Sequence, residues 1–137
     1  MPGSLLIRCR DSRGTPRTVI DFQPGDVFLG LHLQHLITKA QADCLSLMHR
    51  HGVSVYFVVY DLLPILFPHY WPEQHSVHTI HHEWLQIISR FDGAVCISQA
   101  VANEFSGWQK VHCKDRLRPF KMSWFHLGAD MDNSIPT

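Results

Sequence analysis

Two adjacent side chains, Tyr60 and Asp61, stand between a near-continuous apolar run, VSVYFVV (53–59), and a proline-punctuated segment, LLPILFPHYWP (62–72). A carboxylate at such a junction could accept a hydrogen bond from a ligand hydroxyl or orient a catalytic group, and a phenol could donate one. The plainer alternative is that Asp61 bonds backbone N–H groups of its own turn, as Asp commonly does. Within 62–72, Pro64, His69 and Tyr70 are candidates for a binding wall. Exposed aromatic faces and apolar surface suit a ring-bearing or apolar ligand. Alternatively, this segment packs back on the domain. Ser98, in CISQA, could cap a helix, or the helix start it marks could receive an anion. In HLGAD (126–130), Gly128 can take a positive φ in a tight turn, which would bring His126 and Asp130 to a cleft or simply form a hinge.

The eleven histidines are many for a chain of this length. His75, His78 and His82 recur at helical i, i+3, i+7 spacing, with His81 beside them. Pairs of imidazoles on one helix face bind zinc in some proteins. Here HHEW is not HExxH, and no cysteine or carboxylate at ligand spacing completes a set. The expectation is therefore an exposed polar face with a pH-sensitive charge, no metal and no cofactor. A serine hydrolase is disfavoured by the absence of GxSxG, and a dinucleotide site by the absence of GxGxxG after a strand. Twelve basic and twelve acidic residues cancel, which argues against a nucleic-acid partner. The local basic runs, Arg8 to Arg17 and Lys110 to Lys121, read as solvated loops.

Such side chains need a frame. The 137 residues, 45% hydrophobic and 18% charged, suit one domain with a real core. The four cysteines show no CxxC, and Cys44 and Cys96 fall in apolar segments as small core residues. The amino-terminal residues contain no long apolar signal segment, and no stretch is long enough to span a membrane. A reducing, cytoplasmic setting is expected.

Residues 1–24 read as an irregular segment in which RTVIDF could form a strand. GDVFLGLHL (25–33) is a strand after a Gly-Asp turn. A helix is expected over 34–52, with Leu36, Ala40, Cys44, Leu47 and Met48 on its buried face and Gly52 as its stop. VSVYFVVY (53–60) is a buried strand. A second helix spans 73–91, with Val77, Ile80, Trp84, Ile87, Ile88 and Phe91 inward. GAVCIS (93–98) is a strand, 98–108 a helix capped by Ser98, 109–119 a basic loop, and 120–128 a last strand. Strands alternating with helices of this length form βαβ units, hence a parallel sheet with helices on its faces. Ligands of such sheets lie beyond the carboxyl ends of the strands. Tyr60-Asp61, Ser98 and 126–130 all fall on that rim.

The segments VVYDLLPILFP, WLQIISRFDGAVCISQAVANEF and WFHLGADMDNSIPT, in this order and spacing, resemble the amino-terminal domain of bacterial group 1 glycosyltransferases of the GT-B class. The closest likeness is to those that assemble O-antigen and related polysaccharides. The resemblance runs from about Gly25 to Thr137. It implies an α/β, Rossmann-like acceptor-side domain over 25–128, with 129–137 opening an interdomain linker. It also implies an enzyme that moves a sugar from a nucleotide-sugar donor to a glycan or lipid-linked acceptor, with Tyr60 and Asp61 at the reacting centre. Pro64, His69, Tyr70, Ser98, His126, Gly128 and Asp130 would line the cleft on the acceptor side. The family's donor site lies in a second domain, so the expectation is a partial lobe, inactive by itself, sitting peripherally at the inner membrane face. An uncapped edge of its parallel sheet would favour homo-oligomers.

Overall fold

The computed structural model describes residues 5–10, 16–31, 35–72, 77–113 and 119–126. Two strands, β1 (Leu5–Arg10) and β2 (Pro16–Phe22), pair antiparallel as a separate two-stranded sheet. RTVIDF thus forms a strand as expected, and LLIRCR supplies a partner for it within the segment read as irregular. A second sheet holds β3 (Val27–Gly30), β4 (Ser54–Val59), β5 (Gly93–Cys96) and β6 (Lys121–Trp124), ordered β3-β4-β5-β6 and parallel throughout. The α/β class read from the alternating pattern is the one observed.

Between β3 and β4 run α1 (His35–Ala40) and α2 (Ala42–Arg50), where the apolar spacing predicts a single helix. Gln41, at φ −97° and ψ 3°, interrupts it, and the buried line becomes Thr38, Leu45 and Met48, while Leu47 turns outward. Gly52 closes α2 as anticipated. Its φ is +93°, and an added Cβ would lie 3.1 Å from Pro24, so a left-handed turn and a close neighbour both call for glycine. Cys44, expected as a plain core thiol, is disulfide-bonded. Cys96 is a free thiol in the core, and burial raises its pKa to about 11.

After β4 come a single turn of helix, α3 (Leu63–Leu66), and a 3₁₀ turn at Pro68–Tyr70. Next is α4 (Val77–Ile88). Trp84, Ile87, Ile88 and Phe91 are buried as the spacing predicts, together with Leu85 and His81. The last helix, α5 (Gln99–His112), runs a turn further than expected, into the segment read as a basic loop. Ser98 caps it, its hydroxyl accepting from the Val101 N–H at 3.2 Å.

The paired register fixes which side chains share a face of the sheet, because side chains alternate along a strand. Phe28, Val55, Phe57, Val59, Ala94, Cys96 and Met122 point one way. They form the core with Leu45 and Met48 of α2, Trp84, Leu85, Ile87 and Ile88 of α4, and Ala102, Phe105 and Trp108 of α5. The chain steps steadily from β3 to β6, and right-handed crossovers then lay successive helices on the same side. The opposite face carries Val27, Leu29, Tyr56, Val58 and Val95. None of these belongs to the core cluster, and Val27 and Leu29 are 66% and 46% exposed.

At the amino end of the strands, Asp92 ties three elements together. Its Oδ2 accepts from the Val55 N–H at 2.7 Å, its Oδ1 meets His49 Nε2 at 3.2 Å, and its carbonyl accepts from the Lys121 N–H at 2.9 Å.

Candidate functional site on the carboxyl rim

The carboxyl ends of β3, β4, β5 and β6 deliver Leu31, Tyr60-Asp61, Ile97-Ser98 and Phe125-His126 to one edge. Backbone bonds from Ile97 N to Val59 O (3.2 Å) and from Phe125 N to Cys96 O (3.0 Å) carry the ladder up to it. Tyr60 is held in place, its hydroxyl donating to the Leu31 carbonyl at 2.8 Å and so linking the ends of β4 and β3. Asp61 closes its own turn: Oδ1 accepts from the Leu63 N–H at 3.0 Å. That is the loop role expected of an Asx turn. Among the described residues no hydrogen bond reaches Oδ2, and Asp61 is partly exposed, so one carboxylate oxygen remains for an external hydroxyl.

Beyond this turn the proline segment builds an aromatic cluster. Pro64 is buried inside α3 and helps set the loop's course without facing solvent. Phe67 and Tyr70 stack with ring centroids 5.6 Å apart, His69 lies 4.5 Å from Tyr70, and Tyr70 is 69% exposed. Leu63 and Leu66 add exposed aliphatic surface. From Leu62 to Pro72 the sequence has no Asp, Glu, Lys or Arg. The result is an uncharged platform of rings and aliphatic carbon that follows the Asp61 turn in the chain, a combination suited to a ring-bearing ligand or to an apolar group.

Ser98 serves as a helix cap, and its hydroxyl is engaged in that role. His126 stands exposed at the end of β6 with its ring 5.0 Å from Trp124, edge to face. Gly128 and Asp130 lie outside the described residues, as does His75. Of the expected site residues, Tyr60 and Asp61 thus stand at the carboxyl end of β4, and His69 and Tyr70 lie in the connection that follows. Ser98 and His126 sit further along the same edge, and Pro64 is a buried support.

Sequence reasoning missed His81. It lies in α4, fully buried, and its Nε2 is 3.1 Å from the carbonyl oxygen of Asp61. The signal was present: His81 precedes Trp84 by three residues, Leu85 by four and Ile88 by seven, so it shares their inward stripe. The other histidines take a different arrangement from the one expected. His82 meets His78 at 6.1 Å, but its remaining ring neighbours come from α5: His112 at 4.8 Å and Trp108 at 5.2 Å. Burial lowers the pKa of His82, the nearby His112 and His78 lower it further, and Glu83 opposes them. Among the described residues no group of three or more His, Cys, Asp or Glu side chains is placed to hold a metal. No helix among them is long and apolar enough to cross a membrane.

The fold defines a parallel α/β unit with a candidate ligand rim. Its sequence is similar to part of known glycosyltransferases. The chain is 31% identical over 125 residues to a serotype-specific mannosyltransferase WbdA of Escherichia coli, covering 85% of this chain and 14% of that protein. Two other Escherichia coli proteins of the same name are 28% identical over 122 residues, with the same coverage of 85% and 14%. The chain thus spans 14% of the length of the curated relatives it matches. No protein-family profile matches the chain, and no solved structure matches it.

Proposed function

We propose that this chain forms the acceptor-side lobe of a glycosyltransferase of the group 1, GT-B type, acting in cell-surface polysaccharide synthesis. The complete enzyme would transfer a hexosyl group, mannosyl by analogy with the relatives' names, from a nucleotide-sugar to a glycan or lipid-linked acceptor. The observation that carries this reading is the alignment with the mannosyltransferases across 85% of the chain, coinciding with a ligand-type rim at the strand ends. In this reading Asp61 accepts from an acceptor hydroxyl through Oδ2, and Tyr60 holds the turn by its bond to Leu31. His69, Tyr70, Ser98 and His126 border the acceptor path, and Pro64 fixes the loop. In this reading leaving-group charge is stabilised by a donor-binding part of the complete enzyme, outside this lobe. The uncharged ring platform would face the membrane side, where a lipid carrier presents the glycan.

The test is a thermal melt with separate additions of a nucleotide-activated mannose, free nucleotides, a mannose oligosaccharide and a short-chain lipid-linked mannoside. A ligand that binds only the folded chain at 100 times its Kd adds about 2.7 kcal/mol of stability. A rise in Tm with the oligosaccharide or the lipid-linked mannoside, and none with nucleotide, supports the acceptor-side assignment. A rise with nucleotide alone would reassign the lobe, and indifference to all four would sink the proposal.

A further inference from the structure

We propose that His81 is a positioning residue that holds the Tyr60–Asp61 turn from beneath, so that the Asp61 carboxylate keeps the orientation an acceptor hydroxyl requires. The inference rests on the reading of Asp61 as an acceptor contact. Its geometric part stands independently.

A polar ring fully removed from water is costly unless it is hydrogen-bonded. The buried face of α4 otherwise carries Trp84, Leu85, Ile87 and Ile88, and a leucine at position 81 would serve burial alone better. What histidine adds is a donor. The partner of Nε2 is the Asp61 carbonyl oxygen at 3.1 Å, and a carbonyl can only accept, so Nε2 carries the proton. The ring is in turn set by the indole of Trp84, with centroids 5.5 Å apart. The turn is consequently pinned at three places: Tyr60 to Leu31, Leu63 N–H to Asp61 Oδ1, and His81 to Asp61 O. The first two bonds lie in the exposed rim. The third is the one anchored in the core, and it arrives from a helix twenty residues further along the chain. A site built on an irregular turn gains its precision from such a support.

The experiment compares His81→Leu, which removes the donor, with His81→Gln, whose amide can reach a similar position. Three readouts are used: hydrogen exchange of the Leu63 amide, Kd for a mannose oligosaccharide, and imidazole 15N shifts of the parent protein. The expected result for His81→Leu is at least tenfold faster exchange at Leu63 with β5 amides unchanged, and at least tenfold weaker oligosaccharide binding. His81→Gln should recover most of both. Unchanged Leu63 exchange in a folded His81→Leu overturns the proposal, as does an equal, global loss of protection in both variants. Should neither variant fold, the parent decides: an Nε2–H tautomer at His81 supports the bond, and an Nδ1–H tautomer removes it. If the parent binds no oligosaccharide, the acceptor reading fails, while the exchange data still settle whether His81 holds the turn.

Discussion

At the scale of single residues, substitution can separate the turn bond of Asp61 from the acceptor contact proposed for it. Asn at this position keeps an acceptor for the Leu63 N–H but loses the charge, whereas Ala loses both. Asp61→Asn should therefore leave stability within about 0.5 kcal/mol of the parent while weakening acceptor binding about tenfold. Asp61→Ala should additionally lower stability by roughly 1 kcal/mol, the net worth of one hydrogen bond. Denaturant melts and oligosaccharide titration check the two effects. Asp92 offers the contrast of a carboxylate with a purely structural place. It braces the Val55 N–H and His49 at the opposite end of the sheet. Asp92→Ala strands a backbone donor and should cost about 1–3 kcal/mol, measured by urea unfolding, with acceptor affinity unchanged in the folded protein.

At the scale of elements, the seam between α4 and α5 gives the fold a defined response to acid. His82 lies between His78 on its own helix and His112 and Trp108 on α5. Glu83, the carboxylate that opposes them, is itself paired with Lys39 of α1 at 3.0 Å. The pKa of His82 is lowered from 6.5 by burial and by the two histidines. In the unfolded chain the group binds its proton at higher pH than in the folded one, so stability rises with pH across this window. Its contribution is complete above pH about 6.5 and is lost as the pH falls through the lower folded value. Thermal melts between pH 7.5 and 5.5 should show a decline that His82→Gln makes shallower; parallel curves for the two proteins would contradict this. The elements also mark how far the sequence can be read. Short apolar runs alternating with helical patterns point to the four parallel strands and the rim they share, β4 most clearly through its β-branched and aromatic residues, so the rim position of Tyr60 and Asp61 follows from the residue pattern alone. The break at Gln41 is invisible there, because both halves of 35–50 carry a helical pattern and only tertiary packing chooses between their stripes. His81 is hidden for a related reason: spacing puts it inward, but its partner is a backbone oxygen, and a carbonyl leaves no mark in sequence.

At the scale of the whole molecule, the dominant fact is the unequal treatment of the two sheet faces. One is packed beneath α2, α4 and α5, and the other leaves Val27 and Leu29 largely exposed at an edge strand. Parallel sheets are ordinarily buried on both sides, and an apolar edge invites association. Replacing Val27 and Leu29 by Thr and Lys should reduce self-association while lowering stability by no more than about 1 kcal/mol, since neither side chain belongs to the core. Light scattering across a concentration series, together with binding of an apolar dye, measures the effect. An unchanged distribution of species would mean that this face does not drive association.

The steady march from β3 to β6 gives the sheet a direction of growth. A strand added beyond β6 by another right-handed crossover would thicken the helical layer already present. A chain winding outward past β3 would instead drop its helices on the side where Val27 and Leu29 stand exposed. The two edges of this small sheet are therefore not equivalent as points of attachment. One lengthens what is already built, and the other covers the exposed edge of the second face.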